Sequence, residues 1–264
     1  MGKIIITTWR RTNWLIPFII TLIVWIILAN SKLWPDYLLP SPQSVVIALG
    51  ELIKTGTLTQ NIILSLERLI IAFIISSAIA IPLGIGIGVN VTIAQYFEPV
   101  VNFFQSIAGI AWIPIAILWL GVGWGTVIFV IANAIFFAVL FNTIAGVESI
   151  PANMKNVVLT LGGNPWHVLK EVVLPGSLPN VVMGMRQGLA MGWRSLMAAE
   201  MIASTSGLGY LIWDARSYYR SDMILVGIFF TGLIWLAMDR LLLRPLEMHT
   251  IERWGLVRMG EDNI

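Results

Sequence analysis

Positions 99–147 contain 49 residues in a row without Asp, Glu, Lys or Arg. Two further charge-free stretches cover positions 12–31 and 69–97. One helical crossing of a bilayer needs about 20 apolar residues, so stretches of this length indicate several crossings. Charged residues make up only 11% of the chain, against roughly a quarter in soluble domains. The chain is therefore predicted to be an all-α membrane protein.

Six segments have the length and composition of membrane crossings. They lie at 13–29, 62–85, 103–120, 126–145, 180–203 and 223–242. Gly121, Gly123 and Gly125 predict the turn between the third and fourth crossings, because glycine adopts turn conformations that other residues avoid. Within the second crossing, Gly84 and Gly88 have the spacing of close helix packing.

Basic residues are distributed unevenly between the predicted loops. The N-terminus, the loop 146–179 and the tail from position 240 carry three, two and four Lys and Arg, nine in total, and the alternate loops carry four. Basic loops stay in the cytoplasm, so both termini are predicted to be cytoplasmic. Arg216 and Arg220 oppose this assignment, because both lie in a predicted outer loop. The net charge of +2 is too small to indicate a nucleic-acid partner.

A short amphipathic helix is predicted between the first two crossings. Ser41 supplies an N-cap and Pro42 a first-turn proline, and apolar residues then recur at helical spacing. These residues are Val45, Val46, Leu49, Leu52 and Ile53. The helix is interpreted as a packing element on the outer face of the membrane bundle.

The loop 146–179 carries an ordered series of helix start and stop signals. They are, in chain order, Ser149 with Pro151, Gly162 with Gly163, Asn164 with Pro165, and Leu174 with Pro175. This order predicts one helix, a glycine break, and a second helix that ends at Leu174. Its apolar residues, Trp166 among them, need a surface to contact. That surface is either another protein or the bilayer interface.

The same loop resembles the EAA loop of ABC importer permeases. That pattern is Glu-Ala-Ala, three residues, Gly, nine residues, Ile, one residue and Leu-Pro. Three positions match by spacing: Gly162, Leu174 and Pro175. Val172 replaces the isoleucine, whereas positions 156–158 are Asn-Val-Val in place of Glu-Ala-Ala. Half of the motif is therefore absent.

Short segments elsewhere resemble the branch of this family that imports aliphatic sulfonates, taurine, nitrate or bicarbonate. They are the residues at 39–42, 65–68, 192–193, 198–200, 207–210 and 221–222. The likeness extends over positions 38–247. It implies a type I importer fold in a bacterial inner membrane, with ATP-driven uptake of a small anion.

The resemblance also implies partners and boundaries. A second permease subunit, here expected to be an identical copy, two cytoplasmic ATPase subunits and an external binding protein would complete the transporter. ATP and Mg²⁺ would bind to the ATPase and no cofactor to this chain. The ATPase-coupling residues would be Gly162, Gly163, Trp166, Leu174 and Pro175. The permease domain would cover 58–245, between an N-terminal part at 1–57, which holds the first crossing and the outer helix, and a cytoplasmic tail at 246–264.

Two faces are predicted on the fifth crossing. Small residues form one of them: Gly184, Gly188, Gly192, Ser195 and Ala199. They allow close approach of another helix. Arg186, Trp193 and Glu200 recur at seven-residue steps on the opposite face. A charge near the bilayer centre costs about 2.5–3.5 kcal/mol on insertion scales, so this face is not expected to contact lipid.

Two roles stay open for Arg186, Trp193, Arg194 and Glu200. They line or brace a substrate passage, or they belong to a structural network in which Glu200 satisfies an arginine or a helix end. Arg194 lies about 120° from Glu200 around the helix, so each needs another partner. A carboxylate would repel an anionic substrate, which favours a bracing role for Glu200.

No catalytic motif or metal site is predicted. The chain has no cysteine, and it contains no Walker lysine, no metalloprotease histidine pair and no nucleophile elbow. His167 and His249 are solitary. ATP hydrolysis is therefore expected on another chain. A membrane-embedded enzyme and a scaffold without a transport role remain the alternatives to a permease.

Overall fold

The computed structural model describes residues 16–31 and 33–245. These residues form helices and connecting turns, with no strand among them. The prediction of an all-α fold is confirmed. The predicted tail at 246–264 and the first residues of the chain lie outside the described part.

Eleven α-helices follow one another along the described residues. They are α1 Ile16–Asn30, α2 Pro42–Lys54, α3 Thr57–Val89, α4 Val91–Ser106, α5 Ile113–Leu120, α6 Trp124–Glu148, α7 Ala152–Thr160, α8 Pro165–Val168, α9 Leu174–Ala203, α10 Leu208–Ser217 and α11 Ser221–Met238. A 3₁₀ turn, Gly109–Trp112, precedes α5. Two π-helical turns, Leu169–Val173 and Asp239–Leu243, precede α9 and follow α11.

Three described helices are long and apolar enough to cross a membrane: α3, α6 and the segment Ser221–Leu241. The pair Thr92–Ser106 and Gly109–Leu120 would make a fourth span if its two helices are taken together. The apolar part of α1, Ile19–Asn30, is shorter than a full membrane crossing. Helix α9 has 30 residues but carries Arg186, Arg194 and Glu200. The count of six crossings therefore stays a prediction.

The third predicted crossing, 103–120, is wrong as a single helix. The chain leaves helical conformation at Ile107 and restarts at Gly109, and the two helices are bent by 86°. A Cβ on Gly109 would lie 2.5 Å from the Oγ of Ser195. The bend is therefore held where this backbone packs directly on α9.

The glycine turn before α6 is confirmed at two of its three positions. Gly121 has a φ of 76° and Gly123 a φ of 137°, which L side chains rarely adopt. The N–H of Gly123 donates to the carbonyl oxygen of Ala203 at 2.8 Å. Gly125 lies inside α6 instead.

The described residues form two compact parts. Positions up to 60 with Leu211–Phe230 make up the first. Within it, the predicted amphipathic helix is present as α2, whose N-cap Ser41 accepts a hydrogen bond from the N–H of Ser44. Arg220 donates hydrogen bonds to Asp222 and Glu51, and these raise the pKa of its guanidinium.

Asn61–Tyr210 with the positions from 231 onwards make up the second part. Its centre is α6, which packs closely against the glycines of two neighbouring helices. A Cβ on Gly84 or Gly88 of α3 would lie 2.8 Å from Thr143 or Val147. A Cβ on Gly192 of α9 would lie 2.7 Å from Ile135. The predicted close packing of both glycine faces is confirmed.

Candidate functional site

The predicted coupling loop folds as a helix, a glycine break and a second helix. Helix α7 ends before Gly162, which has a φ of 86°. Asn164 then caps α8: its side chain accepts from the N–H of His167 at 3.0 Å, and the His167 side chain completes a capping box. The loop geometry expected from the glycines and Asn164 is confirmed.

The predicted end of the second helix at Leu174 and Pro175 is wrong. The N–H of Leu174 donates to the carbonyl oxygen of Leu169 across a π turn, and the chain continues directly into α9. Proline is tolerated in the first turn of a helix because its missing N–H has no partner there. Helix α9 therefore begins at Leu174 rather than at 180, and the loop is joined to it without a flexible link.

Apolar side chains of the loop divide into two groups. Val168, Leu169 and Val172 pack against a buried cluster. That cluster consists of Val147, Ile150 and Val173. Others are exposed, among them Val157, Leu161 at 82% and Trp166 at 66%. We call Val157, Leu161 and Trp166 the docking patch.

Glu200 is fully buried and accepts hydrogen bonds from two residues of α3 and one of α10. The hydroxyl of Ser65 and an Nη of Arg68 each donate to it at 2.8 Å, and the N–H of Gly209 donates at 2.9 Å. Arg68 also donates to the carbonyl oxygen of Ser206 at 2.8 Å. Both partners left open for Glu200, an arginine and a helix end, are therefore present.

This network joins three of the segments that resemble the importer family, at 65–68, 198–200 and 207–210. Sequence reasoning left the partner of Glu200 unidentified, because Arg68 lies 132 positions away. A lone arginine near one end of an apolar helix is the signal that could have found it.

The other residues of the predicted polar face contact the far end of α11. An Nη of Arg186 lies 2.9 Å from a carboxylate oxygen of Asp239. Trp193 stacks on Trp235 with ring centroids 6.5 Å apart. Arg186 and Trp193 are therefore separated from Glu200, which faces α3. Within the described part of the chain, no group of three His, Cys, Asp or Glu side chains could hold a metal ion.

Arg194 lies apart from both groups, on the wall of a cavity of about 230 Å³. Its guanidinium makes no hydrogen bond or ion pair with any residue that the structure describes. The cavity lies where α9 meets α6 and the bend after α4. Its polar lining residues besides Arg194 are Gln105, Asn133 and Ser195.

Comparisons with known proteins agree on one family. Residues 80–243, more than half of the chain, match the family model described as binding-protein-dependent transport system inner membrane component. A protein of Methanocaldococcus jannaschii described as an ABC transporter permease is 36% identical over 84% of each chain. The taurine transport system permease protein TauC of Escherichia coli is 33% identical, over 79% of this chain and 78% of TauC.

Two further similarities extend these findings. The aliphatic sulfonates transport permease protein SsuC of Bacillus subtilis is 30% identical, over 83% of this chain and 80% of SsuC. A solved structure of the MetNI methionine ABC transporter in an inward-facing conformation superposes with a TM-score of 0.58 at 18% identity, covering 72% of this chain and 96% of the MetNI chain. The fold is therefore that of a type I ABC importer permease. This multi-pass chain belongs to the inner membrane components of binding-protein-dependent transport systems, the permease subunits of ABC transporters.

Proposed function

We propose that this chain couples ATP hydrolysis on a separate ATPase to the uptake of a small anion. The observation that carries the proposal is the docking patch, which exposes apolar side chains on a loop continuous with α9. Relatives named for taurine and aliphatic sulfonates support a sulfonate as the substrate. Nitrate and bicarbonate are the alternative anions.

The geometry supports a direct mechanical route from the loop to the membrane part. Helix α8, the π turn Leu169–Val173 and α9 form one unbroken chain of helical turns. Val173 in that turn packs against Val147 at the end of α6. A displacement of the docking patch by an ATPase would therefore move α9 against α6, since packed helices shift as units rather than deform.

The proposal includes partners and an orientation. ATP and Mg²⁺ bind to the ATPase subunits, and this chain binds no cofactor. A second copy of the permease completes the passage, and an external binding protein delivers the anion. The excess of basic residues in the N-terminus, the coupling loop and the tail supports a cytoplasmic location for both termini.

We expect Trp166→Ala to weaken retention of the ATPase. Trp166 is 66% exposed, so its removal costs the isolated chain little packing. A buried tryptophan at the centre of an interface is worth about 2 kcal/mol or more, which corresponds to roughly 30-fold in affinity. Co-purification of the ATPase with the tagged permease measures this loss.

Trp34→Ala is the matched control, because Trp34 is 56% exposed and lies far from the coupling loop in sequence. It should retain the ATPase at the wild-type level. A docking patch that only rests on the bilayer would show no difference between the two variants. Equal ATPase retention in both would therefore contradict the proposal and favour a scaffold without a transport role.

A further inference from the structure

We propose that the cavity beside Arg194 is the permease's own binding site for an organic anion with a short apolar chain, such as an alkanesulfonate. The inference rests on the proposed import function and names the substrate class of that transporter. It would place a selective site inside the membrane part, in addition to the external binding protein. Four features of the cavity carry it: an uncompensated positive charge, neutral hydrogen-bond donors, the absence of acidic lining residues, and an apolar wall.

Arg194 differs from Arg68 and Arg186, the other arginines of the second and fifth predicted crossings. Arg68 is paired with Glu200 and Arg186 with Asp239, each at hydrogen-bond distance. Arg194 has no carboxylate partner among the described residues and is exposed to the cavity. An arginine at membrane depth requires a counter-charge or a water-filled space. A bound anion would supply the counter-charge that the chain itself does not.

The rest of the polar lining consists of neutral groups that can donate hydrogen bonds. Gln105 and Asn133 contribute amides, and Ser195 contributes a hydroxyl. None of the described residues that line the cavity is acidic. Three oxygens of a bound anion could therefore accept hydrogen bonds from these groups, while Arg194 supplies the positive charge. An ammonium group, as taurine carries, would find no carboxylate there.

The remaining wall is apolar. Phe104 and Phe137 lie nearly parallel, with ring centroids 5.4 Å apart and an interplanar angle of 9°, and both line the cavity. Ile107, Ile110 and Met191 also line this side. Nitrate and bicarbonate have no apolar group to bury against such a wall. An alkyl chain would gain up to about 4-fold in affinity for each methylene buried.

The position of the cavity fits a site whose shape changes during transport. Arg194 and Ser195 lie on α9, Asn133 on α6, and Gln105 just before the bend. Gly109 beyond the bend packs directly against Ser195. Because α9 continues into the coupling loop, its movement would displace Arg194 from Gln105 and Asn133. The anion would then be released.

Uptake by the complete transporter tests the inference. Proteoliposomes containing permease, ATPase and binding protein would be assayed for ATP-driven uptake of labelled pentanesulfonate. We expect Arg194→Gln and Asn133→Asp to reduce uptake by about 10-fold or more, a loss of about 1.4 kcal/mol. Arg194→Lys should retain a larger share of uptake than Arg194→Gln. Arg216→Gln is the control, since Arg216 lies over the Trp213 ring and outside the cavity.

Competition defines the substrate class in the same assay. With the wild type, excess pentanesulfonate should compete better than excess methanesulfonate, and Phe137→Ala should reduce that difference. Nitrate competing as well as pentanesulfonate would overturn the substrate class. A second measurement separates the selectivity of the permease from that of the binding protein. Binding of pentanesulfonate to the solubilised permease–ATPase complex is measured without the binding protein, and Arg194→Gln should abolish this binding.

The outcomes separate the inference from the proposed function. If the wild type imports no sulfonate with ATP, the proposed substrate of the transporter fails. If the wild type imports sulfonate and Arg194→Gln imports it equally well, the site assignment fails and the function stands. Loss of the ATPase from Arg194→Gln would also overturn the inference, because it would assign Arg194 a structural role.

Discussion

Replacing Glu200 by alanine is expected to prevent stable folding of the permease. The change leaves the buried Arg68 charge without its carboxylate and removes the acceptor used by Ser65 and by the N–H of Gly209. Removing one member of a buried ion pair costs about 3–5 kcal/mol, which is a large part of the free energy of unfolding of a typical domain, about 5–15 kcal/mol. Expression level and thermal unfolding of the detergent-solubilised protein measure the loss.

A conservative variant at Glu200 and a control arginine variant show whether the buried network causes the loss of stability. Glu200→Gln keeps one acceptor oxygen but places an amide donor among the donors of Ser65, Arg68 and Gly209, so an intermediate loss is expected. Arg216→Ala removes an exposed arginine that lies over the Trp213 ring and should leave the unfolding temperature unchanged. A Glu200→Ala variant that expresses and unfolds like the wild type would show that the network does not hold the fold.

Leucine at Gly162 or at Gly163 is expected to abolish ATP-driven uptake and substrate-stimulated ATP hydrolysis. Gly162 has open space around it but a φ of 86°, which costs an L residue about 1–2 kcal/mol. At Gly163 a Cβ would lie 2.7 Å from the backbone oxygen of Val158. Either change would displace α8 and with it Trp166 of the docking patch.

Both glycines are intolerant of a side chain, for different reasons. The backbone conformation excludes one at Gly162, and the contact with Val158 excludes one at Gly163. Membrane insertion and helical content should remain, because Gly84 and Gly88 of α3 pack on Thr143 and Val147 of α6 and not on the glycine break. Gly86→Leu is the control, since nothing lies within 4 Å of a Cβ at that helical position. If both loop variants take up substrate at the wild-type rate, the assignment of this loop as the coupling element is contradicted.

Much of the fold could be predicted from short sequence patterns. Runs without charge indicate membrane helices, and Gly84 and Gly88 indicate close packing because only glycine permits it at that distance. Gly162 and Asn164 indicate the break in the coupling loop because a positive φ and an N-cap are properties of single residues. Each of these signals lies in one residue or one short segment, and the glycine packing and the loop break are present in the structure.

Features that depend on distant neighbours were not predictable. The pairing of Arg68 with Glu200 depends on how α3 and α9 pack, and neither residue type specifies its partner. The bend before Gly109 lies within an apolar run whose composition fits a straight helix. Leu174-Pro175 has the pattern of a helix end, yet the π turn lets the chain continue. Tertiary packing decides each of these local choices.

ATP-driven uptake is the measurement that tests the coupling claim most directly. The tagged permease would be purified with its ATPase and reconstituted into vesicles, and the binding protein would be added outside. Accumulation of sulfonate inside the vesicles would be followed with and without ATP on the side of the ATPase. Accumulation should require ATP and the ATPase, and it should be lost with Gly162→Leu. Accumulation that proceeds without ATP, or a permease that retains no ATPase and accumulates no anion, would contradict the coupling of ATP hydrolysis to uptake through this chain.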